Sequence, residues 1–538
     1  MDSLMIIIKL LGGLGLFIYG MKIMGDGLEN AAGDGLKSIL EKVTKNPIVA
    51  VFVGAIVTAV IQSSSATTVM VVGFVNAGLM NLAQAAGIIM GANIGTTITA
   101  QLVAFKLDDI APLFVFLGAA IIMFAKKKQK RDIGNIILGF GILFVGMGQM
   151  SGAMKPLTEL PLFKEIISTV GGQWYLGIIA GAIITAVLQS SSATTGILVA
   201  LATAGAIDIR AALPIVFGCN IGTCITAMLA SIGTSKTAHK AAILHLIFNL
   251  GGTILFIPVL VSGILGEAVT IISPNDVSRQ IANAHTVFNL VNTAVMLPLT
   301  GILIKAVNLI IPGDDEDEKQ GPKYIDDRLL ETPVIAAGQV AKETLRMANK
   351  AKKGLTLAIE AFEKNDEKLI QKVYDNEAII NSLNEAITTY LVKLSKRELS
   401  DKESKIVAAT FHVINDIERI GDHAENIAEL TLQKINKKLE YSNQAMEQIK
   451  RMYEKTAESL QAAIDSYAHN DVNKAKSVSE IESEVDRLQK KYRDLHVKRL
   501  YDGICNAYAG TIFLDLVSNL ERISDHSMNI AESVIENN

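Results

Sequence analysis

The heptapeptide Gln62-Ser63-Ser64-Ser65-Ala66-Thr67-Thr68 recurs unchanged as Gln189-Ser190-Ser191-Ser192-Ala193-Thr194-Thr195, 127 positions later. Each copy gathers one carboxamide and five hydroxyls. Such groups offer oxygens to a hard cation, and O–H and N–H donors to an anion. No nucleophile constellation accompanies them, so the chemistry they suit is binding rather than bond-making. Downstream of each copy, Gly91-Ala92-Asn93-Ile94-Gly95-Thr96-Thr97 corresponds to Gly218-Cys219-Asn220-Ile221-Gly222-Thr223-Cys224 at the same shift. Asn93, Thr96, Asn220 and Thr223 add side-chain oxygens. The glycines suit either tight backbone approach at a site or a Gly-x-x-x-Gly packing seam.

The same shift carries Gly54-Ala55-Ile56 onto Gly181-Ala182-Ile183 and Thr58-Ala59-Val60 onto Thr185-Ala186-Val187. Gly20-Met21 corresponds to Gly146-Met147 with one residue's difference. Ordered blocks at one spacing mean an internal duplication. The duplicated region is apolar: no charged residue occurs in the 60 positions from Asn46 to Phe105, nor in Ile166–Ile207 or Ala211–Ser235. A buried soluble core would need charged surface residues every few positions, whereas a bilayer takes roughly 20 apolar residues per helical crossing. The expectation is an all-α polytopic membrane protein. Ile48–Ile61 is too short for a comfortable crossing, and the apolar stretch after Thr68 is shorter still. A broken helix or re-entrant hairpin with the serines at its break follows, facing protein or a water-filled cavity. Hydroxyls that merely glue helices together would explain one or two such residues, but hardly six polar residues twice.

Residues 1–311 hold 18 Lys/Arg and 13 Asp/Glu, against 32 and 41 in the remainder. This excludes a single soluble globule and a nucleic-acid binder driven by net charge. Cys219, Cys224 and Cys505 are too few for a disulfide scaffold. Within Asn46–Phe105 and Ile166–Ile207 there is no Asp, Glu, His, Lys or Arg, so no ionisable relay for a proton-coupled pump lies beside the motifs. An anion there must be met by co-bound cations such as sodium, by half-helix N-termini and by hydroxyl donors. Such an arrangement couples anion to cation, although a neutral polar solute fits the residues nearly as well. His245-Leu246-Ile247-Phe248-Asn249 and His285-Thr286-Val287-Phe288-Asn289 form a smaller repetition. Their His and Asn share a helix face and read as a structural polar pair rather than a proton relay.

The chain divides by these features into membrane repeats over 1–130 and 131–237, further transmembrane helices over 238–311, an acidic linker over 312–326 and a helical tail over 327–538. Met1–Leu10 reads as the start of a first membrane helix rather than a signal peptide. The basic loop Lys126–Arg131 places that side in the cytoplasm. The tail lacks apolar spans and follows the solvated run Asp314–Glu318, so a cytoplasmic tail on a plasma (inner) membrane protein is expected. It is amphipathic helix throughout and duplicated as well. Asp416-Ile417-Glu418-Arg419-Ile420-Gly421-Asp422-His423 answers to Asn519-Leu520-Glu521-Arg522-Ile523-Ser524-Asp525-His526, and Glu377-x-x-x-Asn381 to Glu482-x-x-x-Asp486. Carboxylates four apart share a helix face and can build a metal patch or a salt-bridged surface with Arg419 and Arg522. Glu377, Glu418, Asp422, Glu482, Asp486, Glu521 and Asp525 are the candidate ligands.

The paired serine motifs with GANIGTT and GCNIGTC resemble the type II sodium–phosphate cotransporter family. The Glu-Arg-Ile-Gly-Asp-His and Glu-Arg-Ile-Ser-Asp-His runs resemble PhoU domains, and together the resemblances span nearly the whole chain. They imply sodium-driven uptake of inorganic phosphate through two inverted repeats, with the serine clusters as substrate and sodium sites. They also imply two three-helix bundles in the tail that carry a divalent or iron-type metal. On that basis Ser64, Ser65, Ser191, Ser192, Asn93 and Asn220 are assigned to phosphate. Gln62, Ser63, Thr68, Thr96, Gln189, Ser190, Thr195 and Thr223 are assigned to sodium. Asn381, Asn519 and Cys224 depart from the pattern, so the halves need not bind equivalent ions. A phosphate-sensing protein that signals to a cytoplasmic partner through the tail, or a sodium symporter for another solute, remains open at this point. An enzyme is not expected.

Overall fold

A computed structural model describes residues 3–32, 46–105, 107–313, 321–397, 399 and 401–536. All regular elements among them are helical. The chain forms two compact units, Met1–Asp315 and Glu316–Asn538. The acidic run Asp314–Glu318 lies outside the described residues.

The first unit contains α1 (Ser3–Ala32), α2 (Pro47–Ile61), α3 (Ser64–Asn76), α4 (Leu82–Gly95), α5 (Thr97–Val103), α6 (Ala111–Phe124), α7 (Lys128–Met154), α8 (Pro161–Gly172), α9 (Trp174–Leu188), α10 (Ser191–Thr203), α11 (Ile209–Ala230), α12 (Lys236–Val261), α13 (Ile264–Ile272), α14 (Val277–Met296) and α15 (Thr300–Ile310). Among the described residues, five helices are long and apolar enough to cross a membrane, or up to seven if the bent pairs α8–α9 (109°) and α14–α15 (82°) each count as one. Large apolar side chains point outward, among them Phe116, Phe124, Val187 and Leu309. A water-facing surface would not carry so many, and lipid asks for them.

The duplication is visible in the packing. α1 lies along α7 through reciprocal glycines, and a methyl group on Gly20 would stand 2.4 Å from the backbone nitrogen of Leu143. The same group on Gly146 would stand 2.4 Å from that of Phe17. The pairs α2/α4 and α9/α11 repeat the device. A Cβ on Gly91 or Gly218 would come within 2.0 Å of the carbonyl oxygen of Val51 or Ile178. Gly95 and Gly222 give 2.4 Å against Ala55 and Ala182. The Gly-x-x-x-Gly pairs are therefore packing seams that let backbones touch. They set the depth at which Asn93 and Asn220 sit.

The second unit contains α16 (Pro333–Lys364), α17 (Glu367–Leu394), α18 (Asp401–Asn436), α19 (Asn443–His469), α20 (Val472–Tyr501) and α21 (Ala507–Glu536). α16–α18 pack mutually, as do α19–α21, and the two three-helix sets meet along α18/α21 and α16/α19. Asp366, Ser442 and Asp471 accept hydrogen bonds from backbone N–H groups at the starts of α17, α19 and α20, as N-capping residues do.

Candidate functional site: two broken helices

Both serine motifs lie at a helix break. α2 ends at Gln62, which adopts the left-handed conformation (φ 60°), and α9 ends at Gln189 in the same way (φ 52°). Few non-glycine residues take this conformation, so two copies at one motif mark a built feature. The chain then extends through Ser63 and Ser190 and restarts as α3 and α10. The Ser63 and Ser190 hydroxyls accept from the N–H groups of Ala66 (3.1 Å) and Ala193 (3.2 Å). These two serines, assigned to sodium from the sequence, thus cap the restarted helices. Thr58 donates to Thr67 and Thr185 to Thr194, each over 2.9 Å, tying each break to the helix before it.

Ser64 and Ser191 open the new helices, both buried, where unpaired N–H groups and the helix dipole favour an anion. The two breaks meet. The Ser65 hydroxyl donates to the carbonyl oxygen of Gln189 (3.1 Å), and the Thr96 and Ser192 hydroxyls are 3.3 Å apart. Ser65, Ser192, Thr96 and Gln189 are therefore brought together across the repeats. Thr68 donates back to the Ser65 carbonyl and Thr223 to that of Cys219. The buried Thr195 hydroxyl has no partner among the described residues. Gln62 is buried and accepts from Thr99 (2.8 Å), while the Gln189 side chain is exposed.

Asn93 donates to Asn249 (2.6 Å) and Asn220 to Asn289 (2.7 Å). Asn249 and Asn289 in turn donate to the carbonyls of His245 and His285. The His/Asn repetition on α12 and α14 therefore bonds to the motif asparagines on α4 and α11, which sequence spacing alone did not reveal. One expectation needs correcting. His285 Nε2 lies 3.3 Å from the Asn220 carboxamide oxygen, so an ionisable group does stand beside a motif residue. It belongs to a helix 65 residues further along the chain, so a window around the motif could not contain it. The serine clusters meet through neutral hydroxyls and a carbonyl, and the Asn pairs add neutral carboxamides, one of them against an imidazole.

The tail holds two acidic faces. Glu377 of α17 is buried near Glu418, Asp422 and Glu425 of α18. Burial first, then the neighbouring carboxylates, push its carboxyl up to about 8. One oxygen, Oε1, has no partner among the described residues. Gly421 makes room: a Cβ there would lie 2.3 Å from Glu377 Oε2. In the second set, ligand oxygens of Glu482, Asp486 and Asp525 lie within 4.8 Å of one another. Burial and the adjacent carboxylates raise Glu482, Glu521 and Asp525. Asn381, the departure noted in the sequence, is exposed. Arg419 and Arg522 flank both faces, within 3.3 Å of Asp422 and 4.0 Å of Asp525. At the α18/α21 contact, His423 pairs with Asn519 (2.8 Å) and His526 with Asp416 (2.9 Å).

Fold and site define a helical membrane protein of two like halves whose broken helices meet at a polar centre. The Na+/Pi-cotransporter family model matches residues 16–152 and 153–297, and the PhoU domain model matches 344–431 and 449–534. The chain belongs to the Na+/Pi-cotransporter family and carries two PhoU domains in its tail. It is 28% identical over 538 residues to the "Putative inorganic phosphate export protein YjbB" of Escherichia coli (strain K12), covering 98% of this chain and 97% of that one. It is 32% identical over 296 residues to the uncharacterized protein YqeW of Bacillus subtilis (strain 168), covering 55% of this chain and 95% of the other. The tail is 29% identical over 179 residues to the phosphate-specific transport system accessory protein PhoU homolog 1 of Thermotoga maritima, covering 33% of this chain and 76% of that protein.

Proposed function

We propose that the protein is a sodium-coupled symporter of inorganic phosphate that binds its substrate between the two helix breaks. The observation that carries this reading is the meeting of the repeats at Ser65–Gln189 and Thr96–Ser192. Two half-helix N-termini and several hydroxyls then surround one place, which supplies donors to an anion. Ser64, Ser65, Ser191 and Ser192 contact phosphate, with Asn93 and Asn220 behind them. Gln62, Thr68, Thr96, Thr195 and Thr223 supply oxygens for sodium. Ser63 and Ser190, whose hydroxyls cap helices, contribute through their backbone at most. Neutral donors compensate a phosphate charge poorly at membrane depth, so sodium must travel with it. The two repeats run in inverted topology, and rocking one against the other exposes the site to either side.

The direction of net flux follows from the summed gradients, inward when sodium is high outside. The name of the Escherichia coli relative favours a second reading, in which physiological flux is outward. Radiolabelled phosphate in proteoliposomes tests both. Uptake that collapses when choline replaces sodium supports symport. Equal flux in choline medium would falsify the coupling, and sodium-independent efflux from loaded vesicles would favour export.

The tail is placed in the cytoplasm, where its acidic faces bind a divalent or iron-type metal and offer a surface to a regulatory partner. A cation would relieve the mutual repulsion of Glu482, Asp486 and Asp525 and take up the unpartnered oxygen of Glu377. A full-length protein that binds no stoichiometric metal after dialysis against zinc, manganese or iron would remove that part.

A further inference from the structure

The two breaks share sequence, backbone conformation, caps and the Thr58–Thr67 and Thr185–Thr194 bonds, yet they differ in what holds them. In the first half Gln62 is buried and its carboxamide oxygen accepts from Thr99 over 2.8 Å. The counterparts 127 residues on are Gln189 and Thr226. Gln189 is exposed, and the Thr226 hydroxyl is buried with no partner among the described residues. Behind the breaks the difference runs the other way. In the second half His285 reaches Asn220 (3.3 Å), and Asn220, Asn289 and His285 close a ring of hydrogen bonds. In the first half Asn93 bonds to Asn249, but both nitrogens of His245 are buried and unpartnered. Where the glutamine is engaged the imidazole is free, and where the glutamine is free the imidazole is engaged.

A buried polar group without a partner is costly. Thr226 and His245 are among the buried groups that bear this cost, and an exchange of arrangements would give the Thr226 hydroxyl and one His245 nitrogen a partner while Thr99 and His285 gave up theirs.

We propose that Thr99 and Thr226 are positioning residues for the motif glutamines, acting as two latches that close in turn. In the present conformation Gln62 is closed on Thr99. In the conformation open to the opposite side, Gln189 closes on Thr226, Gln62 leaves Thr99, and His245 takes the contact with Asn93 that His285 gives up. This rests on the transport reading above, because it assigns the two arrangements to the two access states.

Backbone hydrogen–deuterium exchange on the full chain in lipid nanodiscs tests it, following the first break (residues 58–68) and the second (185–195). Thr226→Val removes a hydroxyl that has no partner among the described residues, so the present fold should tolerate it. It disfavours the other state and should make the first break exchange more slowly and the second faster. Thr99→Val should do the reverse, and Thr→Ser at either position should restore the original pattern. One net hydrogen bond corresponds to roughly a fivefold shift in population. Should Thr99→Val not fold, Gln62→Asn, one methylene shorter, replaces it. A distant break that responds to neither substitution, or moves in the same direction as the near one, would overturn the latches. Phosphate flux through the same proteins is read separately. Mirror-image exchange without flux would overturn the transport reading and leave the latches standing, while flux without the mirror image would do the opposite.

Discussion

The membrane unit and the tail both arose by duplication, yet they use their copies in opposite ways. In the membrane unit the copies converge: Ser65 bonds to Gln189 and Thr96 lies against Ser192, so neutral oxygens from both halves surround one place. In the tail each copy keeps its own acidic face, Glu377 with α18 and Glu482 with α21. What meets between tail copies is a pair of imidazoles on Asn519 and Asp416. The surroundings account for the contrast. At membrane depth a fixed charge is expensive, so a site is assembled from dipoles and hydroxyls, and one half alone has too few. In water carboxylates can crowd together, because solvent and counter-ions screen them and raised proton affinity neutralises some. A shared site needs both halves, whereas a repeated site survives the loss of one.

The largest effect should come from breaking the convergence. Ser65→Ala with Ser192→Ala removes one cross-repeat contact from each motif and, on the proposed function, two donors to phosphate. About 1 kcal/mol for each of the two contacts predicts initial phosphate uptake roughly thirtyfold below the unmodified protein. Uptake within a few-fold of the original would mean that the copies do not share a site. In the tail, Glu482→Gln with Asp486→Asn should lower metal content at the second face at least tenfold. Metal taken up by the first face on the proposed function should stay, as dialysis followed by elemental analysis of the full-length protein would read. Loss from both faces together would make the tail a shared site as well.

The two helix breaks could be read directly from residues. A polar heptapeptide between two apolar stretches too short to cross predicts a break, and Gln62 and Gln189 make one. The seam glycines were ambiguous because a Gly-x-x-x-Gly pattern serves both packing and backbone approach. Only the 2.0 Å clearance against Val51 and Ile178 separates the two. Asn249, Asn289 and His285 were visible as a repetition, but their partners are not. Which helix a polar face meets depends on long-range packing that spacing does not encode. Difference between identical motifs is the least legible feature. Gln62 and Gln189 have the same neighbours in sequence and diverge only because one half is engaged where the other is not. In the tail, the acidic faces followed from the four-residue spacing of the carboxylates. The convergence of Glu482, Asp486 and Asp525 follows from α20 packing on α21.

A smaller effect should distinguish the two buried imidazoles. His285 hydrogen-bonds Asn220, so His285→Phe leaves that oxygen unpaired and should destabilise the membrane unit by about 1–3 kcal/mol. His245 has no partner on either ring nitrogen among the described residues. Replacing it by Phe removes a buried polar group that satisfies nothing, and should leave stability unchanged or slightly improved. Thermal unfolding in detergent should rank His285→Phe below the original and His245→Phe at or above it. The reverse order would mean that the two halves are not held as described.

The smallest expected effect lies at Glu377. Burial and then the neighbouring carboxylates push its folded carboxyl up to about 8, well above the usual carboxylate range. The folded tail therefore binds this proton more tightly than the unfolded chain does. The stabilisation is fully present below about 4.5 and is lost as pH rises toward 8, where the side chain must be charged among Asp422, Glu425 and Glu418. Glu377→Gln abolishes that dependence. In metal-free protein at pH 8.5 the tail transition should rise by about 2–4 °C, the size expected for roughly 1 kcal/mol in a domain of this length. At pH 5 it should barely move. With metal bound the order inverts, because a carboxylate coordinates the cation and a carboxamide does so weakly, so Glu377→Gln should then melt below the original protein. If the metal-free tail melts at the same temperature at both pH values, Glu377 is not the strained acid that its burial makes it, and the first face has no driving force of its own to recruit a cation.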